Sequence, residues 1–407
     1  MTHEIYRKLR SAATDHGLDI LGGTVRRSSS RFCLGIEHGD YNGMELFGIG
    51  TDRFIWLAYK SNDSGRIRIQ SLNFPDDPTV DFPIGDDCPA ENVKDSWERF
   101  PRGVDAILRR EGYPLSIGFD AVIYGNIPGG GMSRSASLTL NLILTVFDVN
   151  GIPDPGGMRV VDLAQMVEND YIGSPCGKLD QIMIYFAREG MGTHFNPSTG
   201  TIDHIPFGGN PDSFRFVSLD TGTKRPGLEK STYKVRRAEC DTMRDQLSSG
   251  LGIESLAEIS TPALYAKAVA FLTGSGSQSF PRLRYLYEAQ ARFQETLAAW
   301  RAGDIAKVGA NFRADGIGLR NDYQISGPEL ETMCDIARTV DGVLGERMLG
   351  GGDKGASGAI VRPEAFEPLA DAVRRAYPLT HPTFADQFAI HSCRMVDGIV
   401  KFPLSPE

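Results

Sequence analysis

A glycine- and serine-rich run, Gly129-Gly130-Gly131-Met132-Ser133-Arg134-Ser135-Ala136-Ser137, leads straight into the strongly apolar helical stretch LTLNLILTVFDV, which ends at Val149. This junction limits what the chain can fold into more than any other feature. Glycines let backbone N–H groups converge on an anion with no Cβ in the way. The start of a helix adds unpaired N–H groups and the positive end of its dipole. Serine hydroxyls can join phosphates or a magnesium ion, and Arg134 can add charge. The Gly-Lys-Ser/Thr ending of a Walker A loop is absent. So is a GxGxxG run after a strand with a distal acid. The run is either a phosphate cradle of another kind or an ordinary loop whose serine caps the helix.

A second cluster, Gly350-Gly351-Gly352-Asp353-Lys354-Gly355-Ala356-Ser357-Gly358, has five glycines in nine residues. It marks a sharp irregular turn, a hinge or bulge, or a close backbone approach to a ligand that Lys354 could reach. A third segment, Ile36-Glu37-His38-Gly39-Asp40-Tyr41-Asn42-Gly43, packs polar side chains before an Asn-Gly turn signal. Glu37 and Asp40 accept hydrogen bonds when ionised, and His38 can donate or accept. Such a set suits a polyol, whose hydroxyls each need a donor and an acceptor. By itself it also suits a solvated turn after a strand.

The chain has 407 residues and a net charge of −9. That length is too great for one ordinary core, so two domains are expected. The acidic balance argues against nucleic acid as the main partner. No apolar run reaches the roughly 18 residues that a membrane span needs. The first residues lack the apolar region of a signal peptide. Six cysteines are scattered without CxxC spacing, which argues against a zinc site or a disulfide framework and for a reduced cytoplasm.

Alternation and branched residues predict a helix within 1–20 and then strands at Phe32–Gly35, Arg53–Tyr59, Ile67–Asn73 and Ser116–Tyr124. Helices are expected at Ser137–Val149, Val160–Tyr171 and Leu179–Arg188, and a strand at Phe214–Leu219. Beyond it helices dominate: Ser231–Ser248, Ala263–Phe271, Tyr285–Ala302, Asp304–Gly316, Pro328–Asp341 and Ala365–Ala376. Strands at Ala359–Arg362, Phe388–Arg394 and Ile399–Phe402 complete the pattern. The change from strand-rich to helix-rich near residue 215 places a domain boundary there, giving 1–215 and 216–407. Asp180 opens an apolar stretch after the breakers Pro175 and Gly177. It is read as a helix N-cap or as a general base on a rigid element. If Arg31 reached Asp180, the guanidinium would keep the carboxylate ionised.

These pieces, in this order, resemble the galactokinase branch of the GHMP small-molecule kinases. SSSRFCLGIEHGDYNG at 28–43 is similar to that branch's sugar signature APGRVNLIGEHTDYNGG. Pro128–Ser137 resembles PxxxGLSSSAS, and VENDYIGSPCGKLDQ at 167–181 resembles the segment ending CGIMDQ. Tyr233-Lys234-Val235-Arg236-Arg237, LRNDYQISGPEL at 319–330, Arg347–Gly355 and IHSCRMVDG at 390–398 resemble further family motifs. The chain departs from the pattern at three serines (28–30), at Gly39, at Arg134 where a serine is usual, and at Asp353-Lys354.

The resemblance implies an α+β fold of two domains with the active site in the cleft between them. It implies an ATP-dependent kinase that makes the 1-phosphate of galactose or a related sugar, with ATP and Mg²⁺ as cofactors. Asp180 matches the catalytic base and Arg31 its charged partner. Glu37, His38, Asp40 and Tyr233 match sugar contacts. Gly129, Gly130, Gly131, Ser133, Arg134 and Ser135 would hold the nucleotide, with Ser135 and Glu168 as the magnesium pair. The partner expected is a small-molecule sugar, not nucleic acid or membrane. The oligomeric state is not readable. A sugar- and ATP-binding sensor without turnover, or a kinase of another hydroxylated metabolite, would share these motifs.

Overall fold

The polar segment before Phe32 is the first surprise of the computed structural model, which describes residues 2–93, 96–224 and 231–404. After helix α1 (Thr2–Asp15), strand β1 runs over Thr24–Gly35, eight residues earlier at its start than alternation predicts. The reason for the mismatch is that Arg26, Ser28, Ser29, Ser30 and Arg31 are all buried. A buried polar strand is stable only if its side chains find partners. Most here do. Arg26 donates to the Leu144 carbonyl at 3.0 Å and to the Tyr59 hydroxyl at 2.9 Å. Ser28 Oγ donates to the Ser137 carbonyl at 3.0 Å and accepts from Ser137 Oγ at 2.8 Å. Ser30 Oγ donates to the Met132 carbonyl at 2.7 Å. The serines at 28 and 30 therefore bolt β1 to the glycine loop and the helix that follows it.

Strands β2 (Leu46–Asn62), β3 (Arg66–Ser71) and β4 (Val80–Pro83) come next. Helix α2 (Arg99–Arg110), β5 (Gly118–Gly125), α3 (Arg134–Val149), α4 (Gly157–Met166) and α5 (Leu179–Tyr185) follow. Then come β6 (Met191–Asn196), β7 (Thr201–Pro206) and β8 (Arg215–Asp220). The second half contains α6 (Thr232–Leu251), α7 (Pro262–Gly274), α8 (Phe280–Ala302), α9 (Ile305–Gly318) and α10 (Pro328–Arg338). It ends with β9 (Val343–Met348), β10 (Ala356–Val361), α11 (Phe366–Thr380), β11 (Ala389–Cys393) and β12 (Ile399–Pro403).

Among the described residues these strands form two sheets. The larger runs β12-β1-β2-β5-β3-β4, with β6 and β7 added to the near end of β2. Its pairings are antiparallel except β3 with β5. The smaller sheet runs β11-β8-β10-β9 and is antiparallel throughout. The last strand, β12, returns across the chain to pair with β1 in the larger sheet. Helix α3 is buried from Ala136 to Phe147 and packs on the larger sheet between α2, α4 and α5. Its polar residues there, Ser137, Asn141 and Thr145 among them, are hydrogen-bonded to β1, so the helix can be buried on every side. The sheets meet where the Phe32 ring of β1 packs 5.0 Å from that of Phe216 on β8. A Cβ on Gly358 of β10 would lie 2.5 Å from the Phe32 ring, so only glycine fits there.

The expected helix Val160–Tyr171 stops being α-helical at Met166, whereas the one expected over Asp304–Gly316 runs on to Gly318. The α4 helix passes at Val167 into a π-helical turn, Val167–Ile172, and α9 does the same at Leu319–Tyr323. Both turns lie under motifs of the sequence, consistent with the tendency of π-turns to mark working sites.

The two glycine loops pack backbone on backbone. A Cβ on Gly355 would come 2.6 Å from the Gly130 carbonyl carbon, and Gly355 has φ +110°. Gly355→Ala should therefore lower stability by roughly 1–3 kcal/mol through strain and overpacking. Urea unfolding monitored by fluorescence checks this, and an unchanged midpoint would contradict the packing.

Candidate active site

A cleft of about 680 Å³ opens between the two glycine loops, the Glu37–Asp40 turn and the starts of α3, α5 and α6. At its floor lies Arg31, 1% exposed. Its Nε and Nη2 each reach Asp180 Oδ1 at 2.8 Å. Its Nη1 donates to the Gly131 carbonyl at 2.8 Å. Burial alone would lower the Arg31 pKa, but Asp180 and Glu37 outweigh it and raise it above the ordinary value. The guanidinium is a fixed charge joined to the candidate base and to the first glycine loop.

Asp180 is not the helix N-cap. Lys178 holds that position, and Asp180 is the second residue of α5. The helix start is held from elsewhere: Asp40 Oδ2 accepts from the Leu179 N–H at 3.0 Å. The approach is so close that a Cβ on Gly177 would lie 1.8 Å from the same Asp40 oxygen. Burial raises the Asp40 pKa, and the Leu179 and Tyr41 N–H groups oppose it. The polar turn thus helps place the α5 helix that carries Asp180. Asp180 itself keeps a side chain 35% exposed to the cleft.

The rest of the turn faces the same space. Glu37 Oε1 accepts from the Gly350 N–H at 2.9 Å and lies 3.6 Å from Arg347 Nη2. Burial pushes its pKa up, and the charges of Arg31 and Arg347 pull it back. His38, with φ +63°, sits beside Tyr233, their ring centres 5.3 Å apart. Tyr233 is brought there by the start of α6, where Asp353 Oδ2 accepts from the Thr232 N–H at 2.6 Å. Of the four positive-φ residues other than glycine among the described residues, His38 and Ser133 line the cleft and Asp353 supports it. Backbone held in that region tends to cluster at binding sites.

On another wall, Gly129, Gly130, Gly131, Ser133, Arg134 and Ser135 all line the cleft. The Asp220 carboxylate accepts from the Gly222 and Gly129 N–H groups and anchors the loop, with Arg134 as its nearest opposing charge. Burial raises the pKa of Asp220. Glu168, in the π-turn, is 4% exposed and accepts from Gln181 Nε2 at 3.1 Å. Lys354 does not line the cleft, although Gly350 and Gly351 of its loop do.

Every residue that the resemblance assigns to the site borders one space. Sequence reasoning missed its aromatic wall: Phe74, Trp97 and Phe100, with Ser96 and Arg99 beside them. These belong to a connection and to the first turn of α2, where no periodic pattern singles them out. Phe74 is 41% exposed, a large aromatic left in the open that the structure and not the sequence shows.

Comparison with known proteins gives a consistent result. Residues 100–188 match the GHMP kinases N terminal domain. The chain is 31% identical over 356 residues to a galactokinase of Streptococcus mutans, covering 87% of this chain and 88% of that one. It is 30% identical over 342 residues to a galactokinase of Limosilactobacillus fermentum, covering 84% and 86%. The crystal structure of Lactococcus lactis galactokinase complexed with galactose superposes with a TM-score of 0.88 at 26% identity, covering 98% of this chain and 100% of that one. The Methanococcus jannaschii mevalonate kinase shares the fold at TM-score 0.65 and 15% identity, covering 92% and 99%. The α+β architecture with its cleft is that of these kinases, and the chain belongs to the galactokinase family.

Proposed function

We propose that this chain transfers the terminal phosphoryl group of ATP to the anomeric hydroxyl of galactose, or of a close neutral relative, to give the sugar 1-phosphate. The observation that carries this reading is the Arg31–Asp180 pair, set between the polar turn and the phosphate loop. Phosphoryl transfer needs in-line positioning and neutralisation of spreading charge more than covalent chemistry. The N–H groups of Gly130, Gly131 and the start of α3 offer donors to the phosphates, and Arg134 adds a charge on the same wall. The aromatic wall of Trp97, Phe100 and Phe74 offers flat apolar surface for a nucleobase.

Asp180 would take the proton of the attacking hydroxyl. The anomeric hydroxyl is the most acidic of a reducing sugar, so a carboxylate suffices as base. Arg31 holds one oxygen of Asp180 and so fixes the direction of the other. Glu37, His38 and Asp40 supply the mix of donors and acceptors that the remaining hydroxyls require. Magnesium would neutralise charge on the phosphates. Ser135 and Glu168 are the residues to hold it, and one carboxylate with a hydroxyl and phosphate oxygens is a donor set that suits this ion.

The six cysteines are free thiols, which supports the expectation of a reducing, cytoplasmic setting. No helix among the described residues is long and apolar enough to cross a membrane.

Four outcomes are expected. ADP release measured over a panel of reducing sugars should show turnover with galactose, whereas a sensor would bind sugar and ATP without turnover. Galacturonate should be turned over at least about 10-fold less well, since its carboxylate would meet Glu37, Asp40 and Asp180 in a site of low dielectric. Asp180→Asn should lower kcat by roughly 10²–10⁴-fold while sugar binding by calorimetry survives. Arg31→Lys should cost about 10²-fold in kcat, because an ammonium cannot make the forked contacts to Asp180 and Gly131 together. A near wild-type rate for either variant would remove that residue from the mechanism.

A further inference from the structure

Behind His38 runs a buried row of hydrogen-bonding groups that the phosphoryl-transfer chemistry does not use. His38 Nδ1 lies 3.0 Å from the Tyr41 hydroxyl. The Tyr41 and Tyr323 hydroxyls are 2.6 Å apart. The Tyr323 hydroxyl is 3.3 Å from Cys240 Sγ. His38, Tyr323 and Cys240 are all buried. Asn42 closes the circuit, with its amide donating to the His38 carbonyl at 2.7 Å and also bonding the Cys240 side chain. The row joins the polar turn to the π-turn Leu319–Tyr323 and to α6, three segments far apart in the chain.

The groups of this row keep their protons. Burial pushes the Cys240 thiol up to about 12 and both phenols well above their ordinary value. If each phenol spends its proton within the row, the row can point in only two directions. In one, Cys240 donates to Tyr323, Tyr323 to Tyr41, and Tyr41 to Nδ1 of His38. In the other every bond reverses and Nδ1–H donates to Tyr41. The first pairs the best donor, a phenol O–H, with the best acceptor, an imidazole nitrogen. The second gives a phenol proton to sulfur, a weak acceptor, and leaves the stronger acceptor unused by the row. Hydrogen bonds in a chain polarise one another, so the preference of one end is felt along its length.

We propose that Tyr41 and Tyr323, backed by Cys240, act as positioning residues that hold neutral His38 in the tautomer with its proton on Nε2. His38 lines the cleft, and the nitrogen that carries its proton is then the one not held by Tyr41. It complements Glu37 and Asp40, and the sugar atom opposite it must be an acceptor. The proposal takes from the proposed function only that sugar lies against His38.

The test is ¹⁵N NMR of protein labelled at histidine, recorded where the imidazole is neutral, with His38 assigned from the spectrum of a His38→Gln variant. Two-bond ¹⁵N–¹H correlations show which nitrogen carries the proton. In the wild type it should be Nε2. Tyr41→Phe should move His38 to a mixture of tautomers and raise the KM for galactose roughly 2- to 10-fold, the worth of one hydrogen bond, with kcat little changed. Tyr323→Phe should act in the same direction but less, and Cys240→Ala less again. Cys240→Ser, which keeps a donor, should restore the wild-type spectrum and KM. A proton on Nδ1 in the wild type, or an unmoved tautomer in Tyr41→Phe, would overturn the proposal. The spectra require no turnover. A chain inactive on galactose with the expected tautomer would defeat the proposed function alone, and an active chain with the wrong tautomer would defeat this inference alone.

Discussion

A single buried guanidinium sets the geometry of this molecule's cleft. Arg31 is almost completely withdrawn from water, where an unpaired charge would cost many kcal/mol. The fold must therefore bring partners to it. It brings Asp180 from a site 149 positions along the chain and the Gly131 carbonyl from one 100 positions along. The second glycine loop closes over the same group, since a Cβ on Gly350 would stand 3.1 Å from Arg31 Nη2. Charge satisfaction and site assembly are thus one requirement. Asp180, the Gly129–Gly131 loop and the Glu37–Asp40 turn cannot drift apart without stranding a buried cation.

The supports of that arrangement are backbone groups rather than side chains wherever a ligand must approach. Glu37 is held by the Gly350 N–H, Asp40 holds the Leu179 N–H, and Asp353 holds the Thr232 N–H. Each carboxylate fixes the first turn of an element, or the loop, that carries a working group. A carboxylate at a helix start suits the positive end of the dipole. Asp40 and Glu37 thereby serve twice, as anchors of neighbouring segments and as acceptors facing the cleft. The departures from the family pattern fit the same scheme. Ser28 and Ser30 tie β1 to the loop and to α3, and Asp353 fastens the start of the helix bearing Tyr233.

Much of this was legible in the sequence because the site is built from short continuous motifs. Glu37, His38 and Asp40 lie within four positions, and the glycine loop runs unbroken into its helix. The long-range joins were not legible. Nothing local says that Arg31 meets Asp180, or that β12 returns to pair with β1. Alternation failed for β1 before Phe32 because burial there is satisfied by hydrogen bonds instead of apolar side chains. It also missed β9, whose segment Val343–Met348 carries Gly345, Glu346 and Arg347 in a buried strand. Asp180 looked like an N-cap from its neighbours, and the true support of that helix start, Asp40, comes from a different part of the chain. The aromatic wall had no motif at all.

The central claim is that the cleft presents the anomeric hydroxyl of galactose to Asp180 with Arg31 holding the carboxylate. The most direct test is a crystal structure with galactose and a non-hydrolysable ATP analogue bound together. The account predicts the anomeric oxygen within about 2.6–3.2 Å of the Asp180 carboxylate and in line with the terminal phosphate, with Arg31 still on both Asp180 and the Gly131 carbonyl. A different hydroxyl at Asp180, or a sugar bound with its anomeric carbon turned away from the phosphate loop, would contradict it.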